Sequence, residues 1–480
     1  MVRKRISIHG EWTTRWAFVL AATGSAVGLG NIWKFPYIAG ENGGGAFVLV
    51  YLLCITVIGI PIMIAEVMIG RRGRQSPVNT MYNLGIESGS SPHWKWLGWL
   101  GVVSGFIILS YYTVIAGWAL DYVFKAATGS FTNASAESVS TAFGTLVSNP
   151  MALIAWQTVF MIMTMVVVAR GVNGGLEKAV RLLMPSLFVL LIILVGYAIS
   201  TGEFMRGLTF LFEPNFDTLL YKHEAGGEFI LNTYGDKIFT LEYVLIALGH
   251  AFFTLSLGMG AIMVYGSYLP RKTSIAKTTF IIAGADTLVA LLAGMAIFPI
   301  VFANNLDPGK GPGLIFETLP LAFGHMPGGM FFGTLFFVLL VFAAWTSSIS
   351  LIEPAAAWLV ENKGMKRNKA SIIIGVSCWA LGLFTVFSFN IWKNVHPLDF
   401  WVFKNKTFFD VFDYLTANLM LPLGGLAIAI FSVWIMSCDA SSDELEMKQT
   451  SLAYNLWYFM TRYVTPLAML VVFANLMGLI

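Results

Sequence analysis

The chain has 480 residues, of which 57% are hydrophobic and only 11% are charged, and its mean hydropathy is +0.74. Soluble globular proteins carry about 25% charged residues, and covering a soluble body of this size with so few charges would leave large apolar patches in water. The composition therefore excludes a soluble enzyme, a nucleic-acid-binding protein and a disordered scaffold, and the net charge of +3 is too small to indicate a polyanionic partner. We expect a membrane protein with little chain outside the lipid bilayer.

Apolar runs of about 20 residues, the length needed to cross a bilayer, recur eleven times along the chain. We predict spans at roughly 16–40, 46–70, 97–124, 151–169, 182–201, 240–268, 278–303, 330–360, 371–389, 411–437 and 452–476. The segments between them are too short for separate domains. We therefore expect one transmembrane domain over residues 1–480, with an uncleaved first span.

The distribution of Lys and Arg predicts the orientation of these spans. With a cytoplasmic N-terminus, eighteen of the 29 basic residues fall in inner segments and eight in outer segments. An excess of Lys and Arg is typical of the cytoplasmic side of a membrane. The N-terminus is therefore predicted to be cytoplasmic, and the odd number of spans places the C-terminus outside.

Two of the predicted spans contain closely spaced glycines: Gly28 and Gly30 in the first, Gly258 and Gly260 in the sixth. Mid-helix glycine costs about 1 kcal/mol relative to alanine, and two glycines two positions apart do not form the groove of a packing motif. A helix break at membrane depth is tolerated only where it lines a cavity or meets a ligand. Because the two spans enter from opposite sides, the pattern favours an inverted-repeat transporter with a midplane binding site. Glycines that merely ease helix packing are the alternative.

Several segments around these breaks resemble the neurotransmitter:sodium symporter family. The first-helix signature of that family resembles residues Trp12–Trp16, Gly24–Pro36 and Glu41–Phe47, and the resemblance continues through Phe252–Gly258 and Thr346–Ser348. It covers essentially the whole chain in order. The family implies an all-α polytopic membrane protein with a LeuT-like fold, in which two inverted five-helix repeats are followed here by one extra helix and helices 1 and 6 are broken at mid-membrane. The resemblance places repeat one at about 12–201, repeat two at about 240–437 and the extra helix at about 452–476.

The resemblance also implies a function. We expect a sodium-coupled secondary active symporter that imports an L-amino acid by alternating access, in the plasma membrane of a bacterium. Its partners would be the small-molecule amino acid and the lipid bilayer, with no nucleic acid, and its oligomeric state, monomer or dimer, stays open. A non-transporting amino-acid receptor or a channel-like protein of the same fold is the alternative. An intramembrane enzyme is disfavoured, because no His, Cys or carboxylate residues cluster at a chemically useful spacing.

Two sodium ions are implied by the resemblance, and oxygen atoms are the ligands that hard cations prefer. The first site would use Ala26, Asn31, Thr254 and Asp286, completed by the substrate carboxylate. The second would use the carbonyl oxygens of Gly24, Val27 and Ala343 and the hydroxyls of Thr346 and Ser347.

Position 286 departs from the usual family pattern, which has asparagine there. Chloride-dependent members bind their anion about one helical turn further on, where this chain has Ala290. Two sodium ions and a zwitterion leave a charge of +2 in the site, and Asp286 lowers it to +1. We therefore expect transport that requires no chloride.

The substrate pocket is predicted from the same resemblance. The freed amides of Leu29 and Gly30 and the hydroxyl of Tyr112 would hold the substrate carboxylate, and its amine would lie near Ala26, Phe253, Thr254 and Ser256. The side-chain subsite would be lined by Ser25, Ala26, Ile108, Phe253, Met259, Ser347, Ser350 and Leu351. This lining is apolar with a few hydroxyls, so a neutral hydrophobic amino acid is favoured, and the adaptable Met259 extends the range to aromatic side chains. Gly28 stands where monoamine carriers have aspartate, which favours a substrate with its own carboxylate.

The resemblance also implies two gates, one on each side of the substrate pocket. Lys34 and Asp413 match the outer ion pair of the family, with Tyr112 and Phe253 closing beneath it. On the inner side Trp12, Tyr268 and Glu361 match, and the cation is either His9 or Arg5. Two further membrane carboxylates, Glu66 and Glu353, are interpreted as structural hydrogen-bonding groups near the broken helices.

Overall fold

The computed structural model of this chain describes residues 7–222, 229–232, 234–308 and 313–476. These residues form no β-strand, only three isolated bridges, which join Gly44 to Pro214, Tyr221 to Phe239 and Leu231 to Lys237. In chain order the helices are α1 (Arg15–Ala26), α2 (Gly30–Glu41), α3 (Gly45–Gly73), α4 (Pro77–Glu87), α5 (Pro92–Ala127), α6 (Ala136–Ser148), α7 (Pro150–Ala169), α8 (Val172–Thr201), α9 (Phe204–Phe212), α10 (Phe216–Leu220), α11 (Glu242–Thr254), α12 (Ala261–Ser267), α13 (Ile275–Ala303), α14 (Leu319–His325), α15 (Gly329–Lys363), α16 (Arg367–Ser388), α17 (Phe408–Ile435), α18 (Cys438–Leu445) and α19 (Leu452–Asn475).

Helices occupy the positions of all eleven predicted spans, although those at the sixth are too short to cross a membrane. Within the described residues, nine helices are long and apolar enough to cross a membrane: α3, α5, α7, α8, α13, α15, α16, α17 and α19. The bent pair α1 and α2 gives a tenth span, with an angle of 48° between its halves. The sixth span is divided into the 13-residue α11 and the 7-residue α12, because residues 255–260 leave the helical path.

Polar caps mark where several of these helices begin. Thr14 accepts a hydrogen bond from the Ala17 amide at the start of α1, and Asn149 accepts one from the Ala152 amide at the start of α7. Such caps satisfy amides that have no partner inside the helix. The long apolar sequences that follow then form helices, since in lipid every backbone group must be hydrogen-bonded within the segment.

The helices differ in how much of their surface the protein itself buries. In α5 and α15, 78% of the most apolar 18-residue stretch is buried inside the protein. The buried share of the corresponding stretch is 39% in α7 and α16 and 28% in α19. Helices α5 and α15 pack against each other, and α1 packs on α15. The broken helices and these two inner spans therefore form the centre of the bundle, and the remaining apolar faces are left for lipid.

Candidate substrate and sodium site

At the break between α1 and α2, two backbone amides donate hydrogen bonds to side chains and not to the helix. Val27 is extended, with φ −68° and ψ 106°, so the helical ladder stops there. The Gly28 amide donates to Asn31 Oδ1 at 3.0 Å, and the Leu29 amide donates to Tyr112 Oη at 3.1 Å. Tyr112 comes from α5, so this break and the third span meet where the sequence predicts the substrate carboxylate.

The break between α11 and α12 requires left-handed backbone. Ser256, Gly258 and Gly260 have φ of 54°, 77° and 76°, a region that favours glycine. A β-carbon on Gly258 would also lie 2.6 Å from the Leu421 carbonyl oxygen. The Gly258 amide donates to Glu66 Oε2 at 3.1 Å, which confirms the interpretation of Glu66 as a hydrogen-bonding group at a broken helix.

Asn31, Thr254 and Asp286 form one fully buried cluster beside both breaks. Asn31 Nδ2 donates to Asp286 Oδ1 at 2.8 Å and to Thr254 Oγ1 at 3.0 Å, and Thr254 Oγ1 donates to Asp286 Oδ2 at 3.1 Å. A carboxylate, an amide and a hydroxyl held this close, away from water, fit a hard cation that takes oxygen ligands. Asn31 has to turn its Oδ1 from the Gly28 amide toward the cluster to act as a ligand. Ala26, the remaining predicted ligand, lies on the wall of the pocket.

The residues predicted for the second sodium site meet between the end of α1 and α15. Ser347 Oγ lies 3.2–3.3 Å from the carbonyl oxygens of Gly24, Ser25 and Val27. Thr346 Oγ1 donates to the Ala343 carbonyl oxygen at 3.0 Å. Carbonyl and hydroxyl oxygens from two spans therefore converge there, with Ser25 as a neighbour that the sequence did not place in this site.

A small cavity lies between the two breaks. It is lined by Ser25, Ala26, Gly28, Gly30, Ile108, Tyr112, Phe253, Ser256, Met259, Ser347 and Leu351. Its volume is about 20 Å³, whereas ligand pockets typically measure about 300–1,000 Å³. The lining therefore has to move to admit an amino acid. Ser350, which was predicted to line it, is not among the lining residues and accepts a hydrogen bond from Ser25 Oγ at 2.8 Å.

On the outer side, the predicted ion pair stands above this cavity. Lys34 Nζ lies 3.8 Å from Asp413 Oδ1 and 4.7 Å from the centre of the Phe253 ring. Phe253 also lines a second cavity of about 270 Å³ between α2, α11, α17 and α19. Its ring therefore separates the small inner cavity from a larger outer one.

On the inner side, Glu361 is held by three neighbours. His9 Nε2 lies 3.0 Å from Glu361 Oε1, the Ser76 amide and hydroxyl donate to the two carboxylate oxygens at 2.7 Å and 2.5 Å, and Asn79 Nδ2 donates at 2.7 Å. Of the two candidate cations, His9 is therefore in contact with Glu361, and Arg5 lies outside the described residues.

Trp12 and Tyr268, which were predicted to belong to the inner gate, make contacts of a different kind. The Trp12 amide donates to the Tyr268 carbonyl oxygen at 3.0 Å, and its indole Nε1 donates to the Tyr265 carbonyl oxygen at 3.1 Å. The Tyr268 hydroxyl donates to Glu353 Oε1 at 2.7 Å, and Glu353 also pairs with Arg367. Tyr268 thus hydrogen-bonds to Glu353, and its hydroxyl is not among the groups that hold Glu361.

The model of the sodium:neurotransmitter symporter family matches residues 9–141 and 147–478 of the chain. The chain belongs to this family. It is therefore a sodium-dependent, multi-pass membrane transporter and not an enzyme.

Individual relatives and a solved structure agree with this assignment. The sodium-dependent transporter YhdH of Bacillus subtilis is 37% identical over 98% of both chains, and a sodium-dependent transporter of Haemophilus influenzae is 33% identical over 97% of both. The bovine sodium-dependent neutral amino acid transporter B(0)AT2 is 22% identical over 96% of this chain. The crystal structure of MhsT in complex with L-phenylalanine is similar at 40% identity and a TM-score of 0.85, covering 97% of this chain and 99% of MhsT. The LeuT-like fold predicted from the sequence is confirmed by this match.

The symporter's inner side also includes contacts that the sequence reasoning missed. Besides His9, the segment before α1 is joined to the bundle by an ion pair between Glu11 and Arg74 at 3.0 Å and by hydrogen bonds from Thr13 to Glu177. Burial lowers the pKa of the Arg74 guanidinium, and the Glu11 carboxylate opposes that shift.

The contact between Ser76 and Glu361 had a signal in the sequence. Ser76 precedes Pro77, a pair typical of a helix N-terminus, and α4 begins there. Free amides at a helix N-terminus attract carboxylates, so this position could have been predicted to hold an acidic side chain.

Proposed function

We propose that the protein imports a neutral, hydrophobic or aromatic L-amino acid together with sodium, without a requirement for chloride. One observation carries this proposal: between the two helix breaks, a cavity walled by Ile108, Phe253, Met259 and Leu351 adjoins the Leu29 amide with its Tyr112 hydroxyl partner and the buried Asp286 cluster. Amides and a cation suit the carboxylate of an amino acid, and the apolar wall suits its side chain. The L-phenylalanine bound to MhsT supports the same substrate class.

The charge of the site supports chloride independence. No charged side chain lines the cavity, and the buried carboxylate of Asp286 lies within hydrogen-bonding distance of two proposed sodium ligands. Removing charges from water is costly unless they are balanced. Asp286 supplies the negative charge that an added anion would otherwise provide, and the neighbouring Ala290 offers no polar group.

The two sodium sites and the gates belong to the same proposal. Ala26, Asn31, Thr254 and Asp286 would bind one ion, and Gly24, Val27, Ala343, Thr346 and Ser347 the other. The pairs Lys34–Asp413 and His9–Glu361 would open in turn as the two inverted repeats, about 12–201 and 240–437, move relative to each other. The N-terminus would remain cytoplasmic.

The number of ions determines how steeply the substrate can be concentrated. One sodium ion moving inward at about 100 mV releases roughly 2.3 kcal/mol, and a tenfold gradient adds about 1.4 kcal/mol. Two ions therefore support about five decades of accumulation, against two to three decades for one ion. Accumulation in vesicles with a fixed potential distinguishes the two stoichiometries.

The decisive experiment is uptake of radiolabelled amino acids into proteoliposomes, with and without an inward sodium gradient, with all twenty amino acids as competitors. We expect concentrative, sodium-dependent uptake that phenylalanine, leucine or related amino acids inhibit and that gluconate in place of chloride leaves unchanged. Binding without uptake would assign a receptor role, and current far above substrate flux would assign a channel.

A further inference from the structure

Ser25, near the end of α1, is contacted by serines from two other spans. Ser256 Oγ donates to the Ser25 carbonyl oxygen at 2.8 Å, and Ser347 Oγ lies 3.3 Å from the same oxygen. Ser25 Oγ donates to Ser350 Oγ at 2.8 Å. Each of the four serines is at most 6% exposed, so these hydrogen bonds are formed away from water.

Ser350 closes a ring of hydrogen bonds. Its hydroxyl accepts from Ser25 Oγ and donates to the Ser347 carbonyl oxygen at 2.7 Å, while the Ser347 hydroxyl reaches back to the Ser25 carbonyl oxygen. The ring connects the broken first span to α15. Although Ser25 and Ser347 line the small cavity, Ser350 does not.

The Ser25 carbonyl oxygen stands between the two proposed sites. A carbonyl oxygen has two lone pairs, and its two donors come from different spans: Ser256 from the break in the sixth span and Ser347, one of the proposed sodium ligands, from α15. The single O–H of Ser347 can donate a hydrogen bond to only one of its three neighbouring carbonyl oxygens at a time. A sodium ion bound by the carbonyl oxygens of Gly24 and Val27 would leave the Ser25 carbonyl oxygen as the acceptor for the Ser347 hydroxyl.

We propose that Ser350 is a positioning residue that couples the substrate pocket to the second sodium site by holding Ser25, whose carbonyl oxygen both Ser256 and Ser347 contact, against α15. The proposal rests on the proposed function, since it concerns the same two sites. Coupling is reciprocal: the factor by which sodium raises substrate affinity is the factor by which substrate raises sodium affinity. Without the Ser350 hydroxyl, Ser25 loses its side-chain hydrogen bond to α15. Its carbonyl oxygen is then held less firmly between Ser256 and Ser347, and the two sites respond to each other less.

The test compares Ser350→Ala with Ser348→Ala. Ser348 is a matched control because it is fully buried on the same helix, and its hydroxyl donates only to the Ala344 carbonyl oxygen one turn back.

The measurement is equilibrium binding of labelled L-phenylalanine to the purified full chain over a range of sodium concentrations. For Ser350→Ala we expect the half-saturating sodium concentration to rise about three- to tenfold, as for the loss of one neutral hydrogen bond. The phenylalanine Kd at saturating sodium should stay within about twofold, because Ser350 does not line the cavity, and Ser348→Ala should match the wild type.

A double-mutant cycle provides a second measurement should Ser350→Ala reduce folding. Ser25→Ala removes the other end of the same hydrogen bond, so its sodium shift and that of the double variant should be alike rather than additive. Additive shifts would overturn the proposal, as would a Ser350→Ala protein that matches Ser348→Ala. A raised phenylalanine Kd with unchanged sodium dependence would overturn it by assigning Ser350 to the pocket wall. Sodium-independent binding by the wild type would instead reject the proposed function itself.

Discussion

The Asp286 carboxylate accepts a hydrogen bond from the Asn31 side-chain amide at 2.8 Å, although the two residues are 255 positions apart. Both side chains are fully buried. A carboxylate in the middle of a membrane is costly and points to a functional site, and this one lies against the broken first helix. Because Asn31 is itself a proposed sodium ligand, the charge of Asp286 is expected to act on a sodium ion bound there.

Replacing Asp286 by asparagine keeps the size of the side chain and removes its charge. We expect the half-saturating sodium concentration for uptake to rise at least about tenfold, because a unit charge about 4 Å from a cation contributes several kcal/mol at intermediate dielectric. Uptake should also gain a dependence on external chloride, as an anion restores the lost charge. Sodium titrations with chloride or gluconate measure both effects. An Asp286→Asn protein with wild-type sodium dependence would remove Asp286 from the sodium site.

Position 28 has no space for a side chain. A β-carbon there would collide with Ser347 Oγ and lie 2.8 Å from Tyr112 Oη. Because overpacking of this kind costs about 1–3 kcal/mol, Gly28→Ala should weaken sodium-dependent phenylalanine binding about tenfold or more. Gly284→Ala, in α13, is the control, since its β-carbon meets no atom within 4 Å. Equal binding by the two variants would contradict the predicted position of the pocket.

His9 is expected to control access from the cytoplasm. Its removal leaves Glu361 with the hydrogen bonds of Ser76 and Asn79, so we expect an easier opening rather than unfolding. The readout is thiol labelling of a cysteine placed at Ser267, a buried position at the inner end of α12. His9→Ala should label about three- to tenfold faster than the wild type, which corresponds to the loss of one hydrogen bond.

A second variant, His9→Arg, tests whether a cation at position 9 is enough to hold Glu361. Arginine is always positively charged and can donate several hydrogen bonds, so His9→Arg should label no faster than the wild type, in contrast to His9→Ala. All three proteins are measured in a Cys438→Ser background, because Cys438 is exposed while Cys54 and Cys378 are buried. A His9→Arg protein that labels as fast as His9→Ala would show that a cation at this position does not hold the gate.

Two arginines are expected to differ in their contribution to stability. Arg71, 3% exposed, pairs with Glu444 at 2.5 Å and donates to the Thr273 carbonyl oxygen at 2.6 Å, whereas Arg206 pairs with Glu203 on the exposed outer side. Breaking a buried pair costs about 3–5 kcal/mol, and an exposed pair is worth at most about 1 kcal/mol. Arg71→Ala should thus unfold at a clearly lower temperature in detergent than Arg206→Ala. Similar melting temperatures would show that α18 is not anchored through Arg71.

Much of the architecture was predictable from the sequence because it depends on local properties. Apolar runs of sufficient length predicted the nine spanning helices and the bent pair of the first span within the described residues, since a membrane helix satisfies its own backbone hydrogen bonds. Gly28, Gly30, Gly258 and Gly260 marked both breaks, because only glycine adopts left-handed backbone or allows close approach without strain. Motif resemblance then named the residues around those breaks.

Tertiary structure decided which of these side chains meet. His9 and Glu361 meet although they are 352 positions apart, Tyr268 donates to Glu353, and Ser350 accepts a hydrogen bond from Ser25. Each of these contacts depends on the rotation and offset of one helix against another, which packing determines and local sequence does not encode. The sequence by itself thus determined a sodium-coupled transporter fold and the polar groups available to it. Only the packed bundle decided which hydroxyls and carboxylates face one another, because the hydrogen bond of a buried polar group is satisfied by whichever neighbour the fold brings within reach.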